Sequence, residues 1–160
     1  MNIDMEDAPL VNAEYVLQKF PGKGGWTYAA IPEVMQDKTK PFGWVRVKGS
    51  IDGFVLSQYK LMPMGNGKLF LPVKASIRRK IGKEAGDKVH VILYADDSPI
   101  VIPEEIMDCF KYEKSELIES FKALSNGEQK SYIDWIYEAK LEETRAKRIA
   151  AMMQRLAGEY

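Results

Sequence analysis

The chain has one cysteine, one histidine and no excess charge of either sign among its 160 residues. Each shortage narrows the field. A single cysteine, Cys109, excludes an intrachain disulfide and makes a reducing compartment the default. The single histidine, His90, alternates with Val89 and Val91 and has no second His or Cys to join it, which argues against a metal site or a general base. Lys plus Arg and Asp plus Glu both number 23, whereas a non-specific nucleic-acid binder carries a clear basic excess. No apolar run approaches the roughly 18 residues needed to cross a bilayer. The acidic start, MNIDMEDAPL, has neither the basic nor the apolar region of a signal peptide. A cytoplasmic protein is expected.

What is present fits an ordinary globular protein, with 46% apolar and 29% charged residues. A chain of this length buries roughly 70% of its unfolded surface without help from a metal or disulfide. The charge is split along its length. Residues 1–102 hold 14 basic and 11 acidic side chains, net +3, and residues 103–160 hold 9 and 12, net −3. The composition changes at the same place, which suggests a mobile tail at 1–10, a β domain at 11–102 and a helical segment at 103–160.

Within the β domain, strands are expected at Val11–Phe20, Trp26–Pro32, Val45–Ile51, Phe54–Met62, Leu69–Val73 and Val89–Leu93, with a polar helical turn or loop at Glu33–Lys40. Gly-Lys-Gly-Gly (22–25) and Gly-Asn-Gly-Lys (65–68) read as turns and lack the spacing of a phosphate-binding loop. Asp52-Gly53 is the strongest hairpin signal, because a type I′ turn needs positive φ at both central residues. A short basic helical turn, Ser76–Ile81, is stopped by Gly82, and Gly86-Asp87 turns the chain into the last strand. Asp96-Asp97 reads as turn chemistry rather than an acid/base pair.

The two halves of this region repeat. TYAAIPEVM, Gly43, WVRV and Asp52-Gly53 match LFLPVKASI, Gly86, KVHV and Asp96-Asp97. Pro32 falls opposite Lys74, an offset of 42, and Val45 opposite Val89, an offset of 44. Two hairpin units that cannot bury their own faces should pack on each other as a small closed barrel of six or seven strands. Such a barrel needs no second chain, so a monomer is favoured.

Four helices are expected after Ile102. Pro103 with Glu104 and Glu105 suits a helix start, and a second helix runs from Ser115 to Leu124. Ser125-Asn126-Gly127-Glu128 is a capping box that opens a third. From Glu128 onward the apolar face rotates. Tyr132, Trp135, Ile136 and Ala139 form one stripe, and Ile149, Met152, Met153 and Leu156 form another about 110° away. A break between about Lys140 and Thr144 is therefore predicted, with this segment packed on the barrel.

Ser76-Ile77-Arg78-Arg79-Lys80-Ile81-Gly82 and Gly86-Asp87-Lys88-Val89 resemble the hairpin repeat of AbrB and MazE, bacterial transition-state regulators and antitoxins. In those families two chains each give a hairpin to one double-split barrel, and this chain looks like a single-chain version. More closely, residues 11–97 resemble the family of domain of unknown function 1905, through Val47–Gly53, Ile77–Lys83 and Gly86-Asp87. Residues 103–158 resemble the YdeI/OmpD-associated, or bacteriocin-protection, helical segment, through Tyr132, Trp135-Ile136, Ala139-Lys140, Thr144-Arg145 and Arg148-Ile149. The resemblance implies a double-split β-barrel followed by a helical segment, and a loose link to stress or bacteriocin resistance. It implies no established activity.

Two clusters are candidate sites. Lys74, Arg78, Arg79, Lys80 and Lys83 could meet nucleic-acid phosphates, although a solvated turn is the simpler reading. The first repeat carries Glu33 and Asp37 at the matching turn, so a symmetric grip on DNA is lost. Lys140, Thr144, Arg145 and Arg148 could hold a small anion at the helix break, or simply pair with Glu138, Glu142 or Glu143. Trp135 and Tyr132 read as core anchors and Cys109 as a small core hydrophobe. No triad, metal cluster, cofactor or nucleotide fingerprint is evident. A non-enzymatic binding protein is expected, with a DNA-binding regulator as the alternative.

Overall fold

The computed structural model describes residues 8–22, 25–37 and 39–158. The expected tail lies mostly on residues 1–7, outside the described residues, as do positions 23 and 24 of the first glycine turn. The chain divides into two compact units between Asp96 and Asp97.

Among the described residues the first unit carries seven strands and one helix. These are β1 (Val11–Val16), β2 (Gln18–Lys19), β3 (Thr27–Met35), β4 (Val45–Ile51), β5 (Phe54–Pro63), β6 (Lys68–Pro72), α1 (Ala75–Ile81) and β7 (Lys88–Ala95). The strands form an antiparallel sheet in the order β1-β7-β4-β5-β6-β3-β2. β1 and β2 are successive pieces of one bent segment, the first paired with β7 and the second with β3. Because that segment stands at both ends of the order, the sheet curls round and nearly closes on itself. Alternate residues fill the interior: Ile31, Val47, Leu61, Leu69, Val91 and Leu93 are completely buried. Each such side chain contributes about 1.5–3 kcal/mol, so the core stabilises the curled sheet.

The strand registers carry the two-fold relation that the repeat predicts. β3 pairs with β6 as Tyr28↔Pro72, Ala29↔Leu71 and Ala30↔Phe70. A shift of 42 carries the first pair onto the third and leaves the middle pair in place. β4 pairs with β7 as Val47↔Ala95, Gly49↔Leu93 and Ile51↔Val91. A shift of 44 exchanges the outer pairs and leaves Gly49↔Leu93 in place. β5 pairs with β4 and then β6, as the β1–β2 segment pairs with β7 and then β3. Gly49, on this axis, has φ 148°, and a Cβ there would fall 1.9 Å from the Ile92 carbonyl oxygen. Asp52 and Gly53 have φ of 46° and 81°, as a type I′ turn requires.

Two local expectations are corrected. Glu33–Met35 is not a helical turn but a continuation of β3, in which Met35 pairs with Lys68 after a register shift. The Gln36 N–H then bonds the Gly67 carbonyl at 3.0 Å. A 3-10 turn follows at Pro41–Gly43. Asp96, expected in a turn, instead follows the end of β7 without one and is buried, only 7% exposed.

Among the described residues the second unit has four helices: α2 (Glu104–Lys111), α3 (Ser115–Ala123), α4 (Asn126–Glu138) and α5 (Glu142–Leu156). α3 contacts α2 and α5, and α4 contacts α5. Ile106, Phe110, Phe121, Ile136, Ile149 and Met152 are buried, with the Phe110 and Phe121 rings 5.5 Å apart. Ser125 Oγ accepts the Glu128 N–H at 3.1 Å, the N-cap bond that the capping box predicts. The break falls at residues 139–141, at the near edge of the expected span, and both apolar stripes turn inward. No helix among the described residues is long and apolar enough to cross a membrane.

Candidate functional site

Helix α1 is anchored on the barrel by one face. Ile77 is buried and Ile81, one turn on, packs against the same core. Gly82 caps the helix with φ 69° and ψ 35° and gives its N–H to the Arg78 carbonyl, the left-handed stop that glycine adopts without strain. The following turn is tied to the β1–β2 segment. Gly86 N–H bonds the Leu17 carbonyl at 2.8 Å, and Leu17 N–H bonds the Asp87 carbonyl at 2.9 Å. The position of α1 is thus fixed from both sides.

The five basic residues here have unlike roles. Arg78 Nη1 donates to the Val73 carbonyl at 2.6 Å. Its Nε lies 3.4 Å from Glu84 Oε2, within ion-pair reach but without hydrogen-bond alignment. Lys83 Nζ donates to the Lys88 carbonyl at 2.8 Å and stands 3.5 Å from Asp52 Oδ2. Arg78 and Lys83 therefore hold the turn together. Lys74, Arg79 and Lys80 are exposed, and among the described residues they meet no hydrogen-bond or ion-pair partner. In the other half, the strand extension of β3 replaces this helix. There Glu33 accepts the Tyr15 hydroxyl at 2.6 Å, and Asp37 Oδ1 accepts the Thr39 N–H at 2.9 Å. The Tyr15 phenol is pushed well above its usual range, first by burial and then by Glu33. Hydrogen bonds from Thr39 hold the Asp37 carboxyl below its usual range.

At the helix break, the two arginines close the end of α4. Arg145 Nη1 donates to the Ala139 carbonyl at 3.4 Å, and Arg148 Nη1 donates to the Trp135 carbonyl. The Arg148 guanidinium also lies over the Trp135 ring, 5.2 Å from its centroid. These are carbonyls that a helix end leaves without intrahelical partners, and cations favour that end. Lys140 is exposed and Thr144 half-buried. Arg145 and Arg148 thus bond backbone carbonyls, and Glu143 pairs with Lys147 at 3.7 Å.

His90 Nε2 and Asn12 Oδ1 are 2.6 Å apart. Cys109 is half-buried, and burial, with Glu105, Asp108 and Glu113 nearby, pushes its thiol pKa up. That disfavours the reactive thiolate. Among the described residues no cluster of three His, Cys, Asp or Glu could hold a metal.

One polar constellation escaped the sequence reading. Asp96 Oδ2 accepts the Gln58 N–H at 2.7 Å, and buried Arg46 donates from Nη1 to the Gln58 carbonyl at 2.6 Å. Gln58 has φ 50° and sits in the bulge where the β4–β5 register shifts. Arg46 and Asp96 thus clamp a strained residue on both sides. The repeat held the clue, since Asp96 stands 44 residues after Asp52.

Residues 14–93 match the model of the family described as Domain of unknown function (DUF1905). Residues 99–158 match that described as Bacteriocin-protection, YdeI or OmpD-Associated. Among curated proteins, none matches the chain. The chain belongs to the DUF1905 family, with a YdeI/OmpD-associated segment following the barrel.

Proposed function

We propose that this chain is a non-enzymatic, monomeric binding protein of the cytoplasm that meets an anionic polymer, a nucleic-acid backbone, through the exposed side of α1. The observation that carries this reading is the division of labour in the basic turn. Arg78 and Lys83 fix the helix, and Lys74, Arg79 and Lys80 are exposed on a rigid support and pair with no acid among the described residues. A solvated turn needs no such support, whereas phosphate contact benefits from cations held in place. The bacteriocin-protection description of the second segment's family points to stress resistance as the setting. The helix break supports a ligand less well, since Arg145 and Arg148 already hold carbonyls.

The test is fluorescence anisotropy with labelled oligonucleotides at several salt concentrations. Binding should weaken steeply with salt, with a slope that falls by roughly one for each phosphate contact removed. Lys74→Ala, Arg79→Ala and Lys80→Ala should each weaken it. Flat curves at low salt would end this reading.

A further inference from the structure

We infer that the nucleic acid which the α1 edge accepts is single-stranded, with an unpaired base stacking on Trp26. This rests on the reading of α1 above and adds a second, independent feature beside it. The β3–β6 register continues through the hydrogen bond from Val73 N–H to the Thr27 carbonyl, 2.9 Å. One step further, that register sets Trp26 beside Lys74, the residue that opens α1. Trp26 is 52% exposed. Its one ring contact among the described residues is Phe70, met at 60° with centroids 6.2 Å apart. The neighbouring Phe20 stacks instead on Tyr28, at 4.0 Å and 17°. Among the described residues the indole thus has no ring stacked on it, and the register sets one cation, Lys74, beside it.

An aromatic face beside fixed cations is the arrangement that holds a single strand: phosphates meet the charges and a base meets the ring. In a duplex the bases already stack on one another and offer no free face at the edge. The two-fold barrel also fails to provide a duplex grip. At the place equivalent to α1, the other half continues β3 to Met35, with Glu33 in the strand and Asp37 just beyond it. Contact is therefore made along one edge only.

The experiment compares a labelled single-stranded DNA oligonucleotide with its duplex and with vesicles containing phosphatidylserine, using wild type, Trp26→Ala, Trp26→Phe and Arg79→Ala. Thermal midpoints confirm that each variant is folded. The inference expects preference for the single strand, roughly tenfold or greater loss in Trp26→Ala, and retention of most affinity in Trp26→Phe. It also expects loss in Arg79→Ala for both nucleic acids. Equal affinity for single strand and duplex, both indifferent to Trp26→Ala but weakened by Arg79→Ala, would overturn this inference and leave the α1 reading standing. Binding of neither nucleic acid, with or without vesicle binding, would overturn both.

Discussion

Asp52 and Asp96 occupy equivalent places in the two halves of the barrel. The Asp52 N–H bonds the His90 carbonyl at 2.8 Å, and the Asp96 N–H bonds the Arg46 carbonyl at 3.0 Å. His90 follows Arg46 by the same 44 residues that separate the two aspartates. Each carboxylate then accepts a further backbone N–H: Asp52 Oδ1 from His90 at 2.7 Å, and Asp96 Oδ2 from Gln58 at 2.7 Å. The repeat has kept the joint and changed what it supports.

The two joints should differ in cost. Asp96→Ala removes a buried carboxylate from the part-buried hydrogen bond of the Gln58 N–H, and losing a bond to a charged acceptor costs about 1–3 kcal/mol. Asp52, with its side chain 21% exposed, is nearer water and its loss should cost less. Urea denaturation of both variants checks the order. Asp96→Asn, which keeps an acceptor, should fall between wild type and Asp96→Ala.

Gly49→Ala should destabilise the barrel by about 1–3 kcal/mol or more, because its Cβ would meet a carbonyl of β7 and the strands must move apart. Gly65→Ala, at an open turn with φ 93°, should cost only the backbone strain of about 1–2 kcal/mol. Thermal midpoints of the two variants make the comparison.

Burial pushes the Tyr59 phenol up to about 12, and its hydroxyl donates to the Pro72 carbonyl. A pKa raised on folding gives stability that is complete below the unfolded value of 10.0 and is lost as pH rises through the folded one. The barrel should therefore weaken between about pH 10 and pH 12. Tyr59→Phe should be less stable at neutral pH and show a shallower alkaline decline, measured by urea denaturation at each pH.

Arg148→Ala should destabilise the helical unit by about 1–3 kcal/mol, since the Trp135 carbonyl loses a charged donor and the ring loses its cation. Arg148→Lys should recover only part, because an ammonium cannot replace the planar fork. Thermal denaturation followed by circular dichroism reads both.

The fold was legible because a repeat constrains two strands at once. The offsets of 42 and 44 read from the residues are those that the registers obey. The capping box and the type I′ turn were legible for a similar reason, since each demands particular residues at fixed positions. Glu33–Met35 was not, because the polar run Gln36–Lys40 that follows suits a turn and only the pairing of Met35 with Lys68 makes Glu33–Met35 strand. Arg46 and Asp96 were hidden because alternation assigns a charged side chain to solvent, whereas a strained Gln58 drew both inward. At the basic turn the sequence identified five cations but could not separate Arg78 and Lys83, which hold backbone carbonyls, from the three that hold none among the described residues. Trp26 gave no signal of its own; only the register sets it beside Lys74.

The central claim is that the β unit closes on itself, with the Val11–Lys19 segment bridging β7 and β3. Amide hydrogen exchange at Leu17 and Gly86 tests it most directly, because their N–H groups make the bonds that join that segment to the turn before β7. Closure predicts exchange at both sites as slow as at Val47 and Val91 in the core strands. Exchange at Leu17 and Gly86 as fast as in an open loop, with the core strands still protected, would contradict it.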